Sequence, residues 1–444
     1  MTHPIIIYLN NVRDKLSSGL TTEHSHRPAL ADLFEALDED VTSINEPIRI
    51  DCGAPDLVIL KNEFLVGHVE AKDVGRSLDE IESSDQLHRY RQALDNLILT
   101  DYLEFRWYVD GECRRKIHLA KQDLRGDLQI ETHGRQNLED LLSDFLDHQP
   151  QPINTPRNLA ERMARITHLI RDIIVTAFEK DQASGILLGW RQAFAEVLIH
   201  DLDQPENLGQ FADMFAQTLS YGLFSARIMH QTGLFNRHTA QEYIPRTNPF
   251  LRDFFSYITG PQLSDEPYAG FVNDLIQVLA LSDMHQILAE FGHSNGQDDP
   301  MMHFYETFLA AYDPQLREKR GVYYTPMPVV SFIVRSVDHL LKTRFNLPQG
   351  LADTTKLPDG NHKVLVLDPA VGTATFPYAV IDLIRDDFMQ RNDAGMWSDY
   401  VCEHLLDRIF GFEIMIAPYA VAHFKLALQL AGYDLELPKE QKKL

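Results

Sequence analysis

Three residues, Asp56, Glu70 and Lys72, have the types and spacing to hold a divalent cation and act on a phosphate ester. Pro55-Asp56 opens one apolar run, Leu57-Val58-Ile59-Leu60, and Glu70-Ala71-Lys72 closes the next, which begins at Phe64. Both runs read as strands. Side chains alternate along a strand, so Glu70 and Lys72 share a face. If the two runs pair as a hairpin, Asp56 reaches that face too. Two carboxylates and the carbonyl of Ala71 are the oxygen donors a hard ion such as Mg2+ takes, with water completing the shell. Such an ion activates water and offsets the charge building on phosphate, while Lys72 would orient the water.

A second constellation lies near the other end. Leu365-Val366-Leu367 is an apolar strand running through Asp368-Pro369 into the small-residue loop Ala370-Val371-Gly372-Thr373-Ala374, then into a helix from Thr375-Phe376. An open α/β sheet presents a cofactor at the carboxyl end of a strand in this way. Asp368, Pro369, Ala370, Gly372, Thr373 and Phe376 would surround the ligand, and small residues let backbone amides approach it. Glu413, followed by Ile414 after the strand Arg408–Phe412, is placed to accept ribose hydroxyls, as acidic residues do in dinucleotide folds. Tyr324-Thr325-Pro326 opens a helix through Val329–Val334 and would cap the ligand from the other side.

Positioning these groups requires α/β architecture at both ends. Residues 1–148 mix helical spacing (Ala29–Leu37) with strands at 48–50, 55–60, 64–72 and 105–109. Three prolines at 150, 152 and 156 mark a linker. From 157 to 318 the periodicity is helical, and from 319 to 444 strand and helix alternate, which favours a parallel sheet.

The chain has 444 residues, 44% hydrophobic and 24% charged, like an ordinary soluble globular protein. No apolar run approaches the roughly 18 residues of a membrane span, and the start lacks signal-peptide features, so a cytoplasmic location is expected. Cys52, Cys113 and Cys402 are too scattered for a disulfide framework or a thiolate zinc site. His24 and His26 lack partner ligands at zinc spacing. The net charge of −24 is unlike a nucleic-acid binder, although Arg106, Arg114, Arg115 and Lys116, or Arg317, Lys319 and Arg320, could form a local basic face.

The first constellation resembles the PD-(D/E)xK nucleases: Pro55-Asp56, thirteen residues, then Glu70-x-Lys72. Gln86-Leu87-His88-Arg89-Tyr90 fits the Q-x-x-x-Y element of some branches. The resemblance implies a further glutamate from the first helix, Glu23 or, second, Glu35.

The second constellation resembles the N6-adenine DNA methyltransferases whose cofactor elements precede the catalytic one. Residues 303–326 look like the approach to that domain in fused restriction–modification enzymes. A nicotinamide-binding Rossmann domain is disfavoured because Ala374 stands where G-x-G needs its second glycine. The resemblance implies S-adenosylmethionine as cofactor and double-stranded DNA as partner.

The catalytic tetrapeptide, Asn or Asp, then Pro-Pro, then Tyr or Phe, does not occur. In this family its polar residue holds a flipped adenine and its aromatic stacks on the base. Asn248-Pro249-Phe250 precedes the cofactor loop, and Ile416-Ala417-Pro418-Tyr419 has no polar first residue. No G-x-x-x-x-G-K-[ST] loop occurs, which favours the type II fused enzymes over the translocating types.

The expected arrangement is therefore a nuclease-like domain over 1–148, a helical connector over 157–318, and the front of a Rossmann-like methyltransferase domain over 319–444. Such a protein would cleave DNA with Mg2+ and, when full length, methylate adenine N6 to protect self DNA. Two other readings remain open at this point: a nuclease regulated by S-adenosylmethionine binding without methyl transfer, and a methylase remnant with a decayed nuclease.

Overall fold

The computed structural model describes residues 3–17, 25–45, 55–62, 64–122, 128–149, 152–197, 199–230, 233–243, 249–291, 300–314, 325–414 and 416–431. The chain forms two compact units. The first comprises residues 1–153, 165–188 and 262–281, the second 154–164, 189–261 and 282–444. The stretch expected as one connector over 157–318 is thus shared between the units.

The first unit is built on a six-stranded sheet in sequence order: β1 (Val41–Asn45), β2 (Leu57–Lys61), β3 (Phe64–Ala71), β4 (Asn96–Thr100), β5 (Glu104–Val109) and β6 (Glu112–His118). All neighbours are antiparallel except β3 and β4. A parallel pair needs a crossover, and residues 72–95, carrying α3 (Leu78–Glu82) and α4 (Asp85–Ala93), provide it. Hairpin pairing of β2 with β3 sets Leu57 opposite Val69, which brings Asp56 beside the end of β3. The β5–β6 hairpin turns on Asp110-Gly111, both at positive φ, as a two-residue turn matching strand twist requires.

Strands β1, β4 and β6 were not anticipated from the sequence. Every residue of β4 is buried, so its Leu97-Ile98-Leu99 run shows no alternation. Strand β6, Glu-Cys-Arg-Arg-Lys-Ile-His, is mostly polar and exposed. The expected strand at 48–50 lies outside the described residues.

One sheet face packs on α1 (Pro4–Ser17), α2 (Arg27–Leu37) and α5 (Gly134–Leu146). Helix α1 buries Ile5, Tyr8, Leu9 and Val12, the spacing of one helical face. Val69 and Ala71 point into this core. His68 and Glu70, on the alternate face, are buried as well. On that side Gln277 of α11 (Ala269–Ala280) donates to the Leu65 carbonyl at 2.8 Å, and Phe271 packs against both His68 and Tyr90.

The second unit has an aromatic-rich helical part. Trp190 and Phe194 of α7 (Gly185–Val197), Phe211 and Phe215 of α8 (Leu208–Met229) and Phe254 of α10 (Pro249–Thr259) pack mostly edge to face. Helix α8 is buried without interruption from Phe215 to Ala226, and its Gly222 admits the ring of Phe255.

Beyond α13 (Pro300–Tyr312), helix Met327–Arg344 precedes β9 (Val366–Asp368), helix Thr375–Gln390, β10 (Ile409–Gly411) and helix Ile416–Ala431. Strands β9 and β10 pair in parallel, with Val366 opposite Ile409 and Asp368 opposite Gly411. Val330, Val334, Val380, Ile381, Ile384 and Trp397 form the core beside them. No helix among the described residues is long and apolar enough to cross a membrane.

Candidate metal centre and candidate cofactor pocket

Asp56, Glu70 and Lys72 meet at the end of β3. Asp56 Oδ2 accepts a 2.7 Å hydrogen bond from the backbone amide of Ala71, the residue between the other two. Lys72 Nζ lies 2.5 Å from Glu70 Oε1. The carboxylates are deeply buried, Asp56 at 5% and Glu70 at 3% exposure. Burying charge is costly without compensation, and cations supply it here: Lys72 for Glu70, and Arg27, at the start of α2, for Asp56. Arg27 is not among the residues that the sequence pattern singles out. Its only signal was Arg27-Pro28, an arginine where a proline starts a helix.

The loop after Lys72 is tied down. The Lys72 amide donates to Thr100 O at 2.8 Å, and Asp101 accepts the amides of Gly75, Leu103 and Glu104. Burial raises the Asp101 carboxyl above its ordinary value despite those three donors. Gln86 Nε2 donates to Tyr90 Oη at 3.0 Å across one turn of α4, and Tyr90 is buried. Glu35 is exposed and accepts the Ser43 amide of β1, while Glu23 lies outside the described residues.

No group of three or more His, Cys, Asp or Glu side chains able to hold a metal occurs among the described residues. A divalent ion here would rest on the carboxylates of Asp56 and Glu70 and the Ala71 carbonyl. The donor chemistry fits a hard cation: two buried carboxylates, each now beside a positive side chain that an ion could replace as counter-charge.

The candidate basic face of this unit is neutralised from within. Arg106 is buried among Asp79, Glu82 and Glu104, at 2.7, 2.8 and 2.6 Å. Burial opposes its charge, but Glu104 and Asp79 more than restore it and raise the guanidinium pKa. Lys116 pairs with Asp79 and Glu104, Arg114 with Glu112, and Arg115 with Asp144. The cluster at 317–320 lies outside the described residues.

In the second unit, the loop after β9 is laced to the end of β10. Phe412 N donates to Asp368 O at 3.0 Å, and Val371 N donates to Phe412 O at 2.9 Å. The Gly372 amide donates to Glu413 Oε2 at 3.0 Å, so the acidic residue meets the small-residue loop directly. Asp368 Oδ1 accepts the Ala370 amide at 3.1 Å.

Two residues turn the chain into helix Thr375–Gln390 with left-handed backbone, Gly372 at φ 54° and Ala374 at φ 63°. Thr373 is buried, Phe376 packs against the neighbouring core, and Pro369 and Ile414 are exposed. Pro326 caps helix Met327–Arg344, its carbonyl accepting the amides of Val329 and Val330; Thr325 precedes it, and Tyr324 lies outside the described residues. Tyr305 of α13, not singled out from the sequence, is fully buried. That burial and the field of Glu413 raise its hydroxyl pKa.

The loop between β9 and its helix leaves one acceptor unmet and its backbone open. Asp368 Oδ2 is buried and has no hydrogen-bond partner among the described residues, so it can take a donor from a ligand. Open space stands where a Gly372 side chain would be, leaving the loop backbone approachable.

Among solved structures, the chain is similar to the cryo-electron-microscopy structure of a DrdV–DNA complex. The identity is 21% and the TM-score 0.38, over 97% of this chain and 38% of that one. It is similar at 17% identity and TM-score 0.39 to a nuclease-deletion mutant of the Type ISP restriction-modification enzyme LlaGI in complex with a DNA substrate mimic, over 68% of this chain and 22% of that one. The ATP-dependent Type ISP restriction-modification enzyme LlaBIII bound to DNA matches at 17% and 0.39, over 69% and 19%. This chain therefore spans well under half the length of each. No curated protein matches it. Residues 296–437, which contain β9, β10 and the loop between Asp368 and Glu413, match the N-6 DNA methylase family.

Proposed function

We propose that this chain is the nuclease and cofactor-binding portion of a single-chain restriction–modification enzyme acting on double-stranded DNA. The observation that carries the reading is the match of residues 296–437 to the N-6 DNA methylases, a stretch that contains the loop in which the Gly372 amide meets Glu413. S-adenosylmethionine, when bound, supplies a methyl group for adenine N6. The chain's own residues would hold it: Glu413 would accept ribose hydroxyls, the 370–374 backbone would meet the methionine part, and Asp368 Oδ2 would take a donor. The 444 residues supply no adenine-holding tetrapeptide, so methyl transfer is expected only of a protein that also carries one.

The nuclease half rests on the buried cluster of Asp56, Glu70 and Lys72. Mg2+, when bound, lowers the pKa of water and offsets phosphate charge. Asp56, Glu70 and the Ala71 carbonyl would hold the ion, and Lys72 would orient a water beside it.

Two measurements test the halves separately. Calorimetry with S-adenosylmethionine should show binding that Asp368→Ala weakens at least tenfold, and absence of binding by the parent chain would sink the cofactor reading. Plasmid cleavage in Mg2+ should be lost in Asp56→Ala and Lys72→Ala. Cleavage that survives both changes would assign it to other residues.

A further inference from the structure

Asp274 of α11 lies 206 residues beyond His68 in sequence, yet both its carboxylate oxygens are 2.9 Å from His68 Nε2. His68 is 2% exposed and Asp274 7% exposed. The pair sits on the sheet face that carries Glu70, since residues 68 and 70 alternate to the same side of β3. Both belong to the first unit. Each buried polar group here depends on the other, so removing either partner would leave a buried group unmet.

From this arrangement we infer that Asp274 is a positioning residue of the metal centre, acting through His68 on Glu70; this rests on the nuclease reading above. The pair fixes β3 two residues before the carboxylate that would hold the ion. Register with β4 carries the constraint along the strand, with His68 opposite Leu97 and Glu70 opposite Leu99. A helix far along the chain thereby supplies the outer support that metal-holding side chains need, whose loss commonly costs tenfold to a hundredfold in metal affinity.

Helix α11 also has a contact that does not pass through His68: Gln277 Nε2 donates to the Leu65 carbonyl at 2.8 Å. This separates positioning of Glu70 from mere docking of the helix.

The test is Mn2+ binding to the full chain, followed by electron paramagnetic resonance, with circular dichroism and S-adenosylmethionine calorimetry as checks on folding. Asp274→Asn should weaken Mn2+ binding by about tenfold. Asp274→Glu should recover part of it, and His68→Asn combined with Asp274→Asn should be no worse than either alone. Gln277→Ala should leave the Mn2+ affinity within about twofold of the parent. Equal weakening by Gln277→Ala and Asp274→Asn would overturn the inference in favour of helix docking, and so would Asp274→Asn binding Mn2+ like the parent. If Asp56→Ala also binds Mn2+ like the parent, the metal-centre reading itself fails and takes this inference with it. Should Asp274→Asn unfold, the Asp274→Glu and Gln277→Ala pair decides: weakening confined to Asp274→Glu supports positioning, and its absence overturns it.

Discussion

The backbone amide of Gly372 donates a 3.0 Å hydrogen bond to Glu413 Oε2, joining the loop after β9 to the residue that follows β10. One carboxylate thus shapes the loop and faces the position proposed for the ribose. A hydrogen bond to a charged group contributes about 1.5–3 kcal/mol. Glu413→Gln keeps the shape but removes the charge, and should weaken S-adenosylmethionine binding roughly tenfold or more, read by calorimetry. Unchanged affinity would show that Glu413 serves the loop alone.

Ala374 holds left-handed backbone at φ 63° as it enters helix Thr375–Gln390. That conformation costs an L-residue about 1–2 kcal/mol, while glycine's extra chain freedom costs about 0.5–1 kcal/mol. Ala374→Gly should therefore leave the thermal midpoint unchanged or slightly raised. Ala374→Val, β-branched, should lower it by more than 1 kcal/mol equivalent on the same scale. Equal losses in the two variants would argue that the strain is relieved elsewhere.

Gly222 lies within buried helix α8, where an added Cβ would fall 1.8 Å from the Phe255 ring. Helix propensity alone favours alanine by about 1 kcal/mol. Overpacking costs about 1–3 kcal/mol and should win because the ring is itself buried. Urea denaturation of Gly222→Ala should show a lower midpoint, and a raised midpoint would mean that the ring moves freely aside.

Burial pushes His423 in the second unit down to about 4, and burial also lowers His362 and His404 from the ordinary 6.5. The folded state therefore binds fewer protons than the unfolded chain between these values. The stability involved is fully present above about pH 6.5 and is lost as pH falls toward 4. For His423 the slope is at most about 1.4 kcal/mol per pH unit. Denaturant titrations at pH 7 and pH 5 should differ less in His423→Gln than in the parent; an identical difference would remove His423 from the account.

Local pattern carried part of each site. Period-two alternation along 64–72 is enough to set Glu70 and Lys72 on one face, and the Asp-Pro turn with its small residues marks the loop at 368–374 from adjacent residues alone. The basic cluster shows the opposite case. Arg106, Arg114, Arg115 and Lys116 read as a possible DNA-facing patch because their acidic partners, Asp79, Glu82, Glu104, Glu112 and Asp144, are scattered over 66 positions. Strand β4 escaped notice because burial on both faces erases alternation.

The sequence by itself determined which residue types stand at the two sites and which neighbours share a face, since alternation and turn chemistry depend only on adjacent residues. Tertiary structure alone decided their partners: Arg27 on Asp56, the Ala71 amide on the same carboxylate, Asp274 on His68, and Gly372 on Glu413. Each contact spans between 15 and 206 residues. Its geometry is fixed by sheet pairing and helix docking, which no local pattern encodes.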